Sequence, residues 1–296
     1  MISFGYYARA LAGVYVALIY CSGLQASSGL QASSGLQASS GLQTSSVTLQ
    51  GSLQQGGLVL GSVEAGSSAY YREQSLPMTD AGHFLLGLGR DAPSTIELRV
   101  VDSQGIETVQ GFKVAKRDYR IQRVNGVPSK TVTPAEADLT RIRSDSKLVK
   151  QARREITARV DFLDGFQIPL DGPVTGVYGS QRVYNGVPKN PHYGVDYAAP
   201  TGTTVLAPAA GIVRLAHLDL FYSGGTLIVD HGHGLSSSFL HLSDILVEEG
   251  ALVSRGQPIA KVGATGRATG PHLDWRMNWH KERVDPQLVL ETLPAR

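Results

Sequence analysis

The chain has 296 residues, 42% hydrophobic and 18% charged, which allows two folded domains with a sizeable core in each. A net charge of only +2, with no run of Lys and Arg interleaved with aromatics, argues against a nucleic-acid partner. The 34 glycines and few aromatics suit a turn-rich, mainly β protein, and a single cysteine, Cys21, rules out an intrachain disulfide.

At the N-terminus Arg9 precedes an apolar run, Ala10 to Tyr20, and then small residues. This charged, apolar, small order is the layout of a secretory signal. Eleven apolar residues are short for a bilayer span, which needs about 20. The expectation is a signal peptide over residues 1–22, export to the periplasm or cell envelope, and no stable membrane insertion after cleavage. Lipidation at Cys21 is disfavoured because Tyr20 is too large for the residue before a lipidated cysteine. Residues 23–46 repeat a hexapeptide, GLQASS three times and then GLQTSS. One Leu per unit buries too little to fold alone, so this segment reads as a flexible tether.

Residues 47–118 read as a small antiparallel β-sandwich-like domain. Short apolar runs, such as His83 to Leu88, are separated by turn residues such as Asp80-Ala81-Gly82. In Thr95 to Val101, Ile96, Leu98 and Val100 share one face, and Glu97 and Arg99 the other. His83 and Glu64 are isolated and read as ordinary strand or turn residues. Residues 119–162 form a connector: a polar stretch to 132, then a helix. Thr133, Pro134 and Glu136 make a capping box at its start. Leu139, Ile142, Leu148, Val149, Ala152 and Ile156 form an imperfect apolar stripe. Arg141, Arg143, Lys147, Lys150, Arg153 and Arg154 make the other side basic, which reads as a solvated spacer face.

Residues 163–296 carry Gly and Pro turn signals between short apolar runs, and read as a compact antiparallel β domain with little helix. Seven of the eight histidines lie here. Histidine is a common metal ligand and acid/base group, so the clustering singles this domain out. His192 and Asp196 are four apart, with Gly194 between them arguing for a turn and strand rather than a helix. His241 sits in the apolar strand SSSFLHLS. His272 and Asp274 are two apart, and in a strand such residues face the same way. A zinc hydrolase needs about three protein ligands, an open position for water, and a nearby base and oxyanion donor.

Three stretches, PHYGVDYAAPTGTTVLAPAAGIV, VDHGHGLSSSFLHLS and GATGRATGPHLDW, resemble the lysostaphin/LytM-type zinc endopeptidases, which cut the peptide part of bacterial cell walls. That family reads H-x-x-x-D, a lone His after an aromatic, and H-x-H. The resemblance implies an antiparallel β peptidase domain in which His192, Asp196 and Asp274 hold Zn2+, or another divalent metal, and His241 and His272 act as acid/base and oxyanion groups. It implies a periplasmic endopeptidase acting on peptidoglycan stem peptides. One position departs: H-x-D stands for H-x-H. Aspartate is itself a zinc ligand. A His/Asp/Asp set should leave the bound water less acidic, and let harder metals such as Mn2+ compete better. The alternative implied by the departure is a catalytically degenerate module that binds wall or activates an amidase. His231 and His233 read as turn residues, His280 as surface. His217, Tyr184, Arg182 and Asn185 are candidates for the groove edge.

Overall fold

The structure, a computed structural model, describes residues 46–125 and 136–295. The signal peptide, nearly all of the hexapeptide tether, Thr133 and Pro134 lie outside the described residues. Residues 43–296 cluster as one compact unit. No helix among the described residues is long and apolar enough to cross a membrane.

The front of this unit has seven strands: β1 (Thr48–Gly51), β2 (Leu58–Ser62), β3 (Ser68–Tyr71), β4 (Gln74–Ser75), β5 (His83–Gly87), β6 (Thr95–Val101) and β7 (Glu107–Lys113). They form two antiparallel sheets, β1-β2-β5 and β4-β3-β6-β7. The alternation in β6 turns Ile96, Leu98 and Val100 inward, with Glu97 exposed.

Next come β8 (Ile121–Val124), a 3-10 turn at Glu136–Asp138, and α1 (Leu139–Ala152). The stretch read as a plain connector thus contains a strand, which pairs in parallel with β10 (Gln181–Tyr184) across Ile121 and Gln181. Helix α1 has no fully buried residue. Val149 and Ala152 pack on a small apolar group formed by Leu215, Leu220 and Ile228. Its basic side is solvated, with Arg141, Arg143, Lys147 and Lys150 exposed; Arg153, just past its end, is the half-buried exception. Arg141 pairs with Asp219 at 2.8 Å, and Arg153 donates from Nη2 to Ser238 Oγ at 2.6 Å.

The remaining strands are β9 (Val174–Gly176), β11 (Val187–Pro188), β12 (Gly194–Ala198), β13 (Thr204–Leu206), β14 (Gly211–Leu220), β15 (Gly224–Gly232), β16 (Leu235–Leu242), β17 (Asp244–Ile245), β18 (Leu252–Val253), β19 (Pro258–Lys261), β20 (His272–Trp279) and β21 (Glu282–Val284). Helix α2 (Pro286–Thr292) ends the chain, capped by Asp285, whose side chain accepts from the Gln287 N–H. The main sheet runs β18-β14-β15-β16-β20-β12-β9, with β21 also pairing β20. Every residue of β15 and β16 is buried. Two of the three serines of β16 tolerate this because they have partners: Ser237 Oγ lies 2.8 Å from His231 Nε2, and Ser238 accepts from Arg153.

One apolar core is continuous from Leu58, Phe84 and Leu98 in the front strands to Val195, Phe239, Trp275 and Met277. Polar ties follow the same seam. Thr292 Oγ1 donates to Leu58 O at 3.0 Å, and Arg117 pairs with Asp285 at 2.8 Å. Gly87 is bare because a Cβ there would lie 2.7 Å from Trp279 Cβ. Trp279 is therefore the side chain that the front sheet closes on. Trp279→Ala should lower stability by about 3–5 kcal/mol, and unfolding should remain a single calorimetric transition. A separate early transition for the front strands would contradict a shared core.

Candidate metal centre and acid/base pair

Strands β12 and β20 are antiparallel neighbours, and their register sets Asp196 directly opposite Asp274. Opposed side chains in such a pair have Cβ atoms about 4.5–5.5 Å apart, where like charges destabilise the sheet. Both carboxylates have room because two glycines flank them. A Cβ on Gly176 would lie 2.1 Å from Asp196 Oδ2, and one on Gly194 would lie 2.5 Å from Asp274 Oδ1.

His192, just before β12, brings a third group. Its Nε2 lies 3.0 Å from Asp196 Oδ1 and 3.5 Å from Asp274 Oδ2. Its Nδ1 faces the Val177 carbonyl at 3.3 Å, which can only accept, so Nδ1 carries the proton and Nε2 turns to the carboxylates. One ligand atom from each of His192, Asp196 and Asp274 lies within 4.8 Å of the others. A tetrahedral zinc with bonds near 2.0–2.2 Å separates its ligand atoms by roughly 3.3 Å, so the observed spacings suit it. The buried atoms point the same way: His192 Nε2 and Asp196 Oδ1 are 3.0 Å apart yet form no aligned hydrogen bond with the protein. The donor set therefore fits a divalent ion.

Asp274 is 2% exposed, but it is not bare. Arg276, two residues along β20 on the same face, donates from Nε to Oδ1 at 2.9 Å and to Oδ2 at 3.0 Å, and from Nη2 to Oδ2. Burial alone would raise the Asp274 pKa, but Arg276 and His192 outweigh it and hold the carboxyl well below the usual range. The guanidinium of Arg276 is shifted up in return, since Asp274 more than offsets its own burial.

The two further histidines sit side by side. The rings of His241 and His272 are 4.8 Å apart at their centres. His241 Nδ1 faces the Thr265 carbonyl and His272 Nδ1 the Gly270 carbonyl, each at 2.8 Å. A carbonyl can only accept, so Nδ1 is the donor in both rings and each Nε2 is turned away from these carbonyls. His272 Nε2 is 3.9 Å from Asp196 Oδ1, which brings the pair to the edge of the ligand set. His241 has φ of +65°, a left-handed conformation that is uncommon outside glycine. The bond from its N–H to Ser223 O, 2.8 Å, and the Thr265 contact hold it there. Burial lowers its pKa and favours the neutral ring.

All five residues singled out in the sequence thus lie at one place. The other candidates are structural or lie elsewhere. Buried His231 is held between Ala210 O and Ser237 Oγ, at 2.7 and 2.8 Å. His233 packs on Phe162, with ring centres 5.0 Å apart. His280, read as surface, is half-buried against Trp279. His217 accepts from the Asp219 N–H at 3.1 Å. Arg182, Tyr184 and Asn185 belong to β10 and its turn, in the β11-β10-β8 sheet. Sequence reasoning missed Arg276 and Gly176, and read Gly194 only as a turn signal. Arg276 had a signal: it sits at i+2 from Asp274 in a strand, on the same face. Gly176 had none, because its neighbour Asp196 belongs to another strand.

Known proteins resemble this chain in sequence and in fold. The sequence model of Peptidase family M23 matches residues 190–286. A crystal structure from Pseudomonas aeruginosa assigned to peptidase M23 superposes with a TM-score of 0.63 at 30% identity, covering 81% of this chain and 96% of that one. Two Vibrio cholerae proteins are also similar. Peptidoglycan DD-endopeptidase ShyB is 39% identical over 137 residues, 46% of this chain and 28% of that protein. Peptidoglycan DD-endopeptidase ShyA is 44% identical over 87 residues, 29% of this chain and 20% of that protein. The chain therefore spans less than a third of the length of these two relatives.

In the metal-free protein, burial opposes a charge on His192, but Asp196 and Asp274 prevail and raise its pKa from 6.5 to about 10. A raised pKa means the folded state holds this proton more tightly. The stability it contributes is fully present below about pH 6.5 and lost as pH rises through about 10. A metal must displace that proton, so apparent metal affinity in a chelator-buffered titration should rise about tenfold per unit between pH 7 and 9. Affinity that is flat across this range would show that His192 holds no such tightly bound proton.

Proposed function

The chain belongs to peptidase family M23, and we propose that it is a metal-dependent endopeptidase that hydrolyses peptide cross-links of peptidoglycan. The observation that carries this reading is the convergence of His192, Asp196 and Asp274 beside the paired rings of His241 and His272. The substrate class comes from the names of the Vibrio relatives and from the sequence resemblance. The signal-like N-terminus supports a periplasmic or cell-envelope location.

In this reading His192, Asp196 and Asp274 hold Zn2+ or another divalent cation. An ion bound there supplies an acidified water and polarises the scissile carbonyl. The chain's own groups do the rest. His241, kept neutral by burial with Nδ1–H on Thr265 O, offers Nε2 as a base that takes a proton from the attacking water. The protonated ring can then return that proton to the leaving amine. His272, oriented by Gly270 O, stands beside it to stabilise the oxyanion and share the proton traffic. Their fixed Nδ1–H bonds mean that neither ring needs to reorient during the reaction.

The test is incubation of the purified chain with purified peptidoglycan, followed by chromatography of released peptide fragments. Release should stop with chelator and return on adding Zn2+ or Mn2+. Lack of release with any divalent metal would instead favour the wall-binding or amidase-activating module. His272→Ala should lower turnover by about 10²–10⁴-fold with metal content unchanged. Loss of the metal in that variant would move His272 from catalysis to the ligand set.

A further inference from the structure

Asp274 and Arg276 are bound to each other more closely than any other pair at the centre. The guanidinium reaches both carboxylate oxygens through Nε and one of them again through Nη2. This fork fixes the side-chain rotamer of Asp274 and occupies its outer flank. The carboxylate has about four lone-pair positions, and Oδ2 still faces His192 Nε2 at 3.5 Å. Arg276 thus restrains the carboxylate without covering the side that looks into the centre.

Charge gives the pair a second property. Asp274 faces Asp196 across the β12–β20 register. Two carboxylates, one of them buried, and one neutral imidazole would give the ligand set a charge of −2. The resemblance noted above has histidine at position 274, and therefore a set of charge −1. Arg276, at hydrogen-bonding distance, brings the local charge of this chain back to that value.

We propose that Asp274 and Arg276 act as one composite metal ligand: the carboxylate supplies the donor atom, and the guanidinium orients it and cancels its charge, so that the pair stands in for a neutral imidazole. The proposal rests on the metal centre described under Proposed function. It also revises the expectation that a His/Asp/Asp set leaves the bound water less acidic, because that expectation omitted the adjacent guanidinium.

The experiment measures Zn2+ affinity by competition with a chromogenic chelator, with circular dichroism as the check on folding. Arg276→Gln should weaken binding by about 10–100-fold, the usual effect of losing a hydrogen-bonding partner of a ligand. Asp274→His alone should also bind more weakly than wild type, because it leaves Arg276 unpaired beside the cation. Adding Arg276→Gln to Asp274→His should restore at least about tenfold of the affinity, a coupling of opposite sign to the single effect. Wild-type affinity in Arg276→Gln, or a double variant no better than Asp274→His, overturns the composite ligand while leaving the metal centre standing. A wild-type chain that binds no divalent metal overturns the centre itself, and the pair with it. Should Arg276→Gln fail to fold, Arg276→Lys carries the test. It keeps the charge but loses the fork, so binding at least about fivefold weaker is expected and unchanged binding overturns the proposal.

Discussion

Two carboxylates held opposite each other in the middle of a sheet are the constraint around which this protein is arranged. The β12–β20 register places Asp196 against Asp274, and neither can move without dragging its strand. Like charges on directly opposed strand positions are unfavourable unless positive charge is brought to them. The chain supplies two groups for that purpose, His192 from the turn before β12 and Arg276 from the same strand as Asp274. A divalent cation bound in the proposed way would displace the His192 proton and take over its share of that balance.

The surrounding structure serves that arrangement. Gly176 and Gly194 leave the space that the two carboxylates fill. Backbone carbonyls of Val177, Thr265 and Gly270 each face the Nδ1 of one histidine, so three rings present Nε2 toward the same region. Carbonyls on strands and tight turns are rigid acceptors, which makes the orientation a property of the fold. The left-handed backbone at His241 belongs to the same logic: a conformation disfavoured in isolation is kept by the bonds on either side of it. Beyond the centre, the front sheets and the main sheet share one apolar core, closed where Trp279 meets Gly87.

Much of the centre was legible in the sequence because its residues come in short local patterns. His192 and Asp196 straddle a turn into a strand, and His272 and Asp274 obey the period of two of a strand. His241 stood out through its neighbours rather than its own environment. Arg276 followed the same period and went unread, because a strand arginine is usually a solvated one. The basic side of α1 is solvated as its composition indicates, with one exception just past the helix end. Composition shows a charged face, but Arg153 reaches Ser238 on a strand more than eighty positions away.

The sequence by itself determined the β-rich class and the Gly- and Pro-punctuated strand pattern, because these depend on local periodicity and on side-chain type, while its family resemblance singled out the five residues that the fold brings together. Only the tertiary structure decided that Asp196 faces Asp274, that Arg276 is committed to Asp274, and that a connector strand joins β10 in parallel. Those facts depend on strand register and order, which bring together residues distant in the chain and leave no trace in local spacing. Asp274 read alone is a substitution at a ligand position; in the folded protein it is one half of an ion pair.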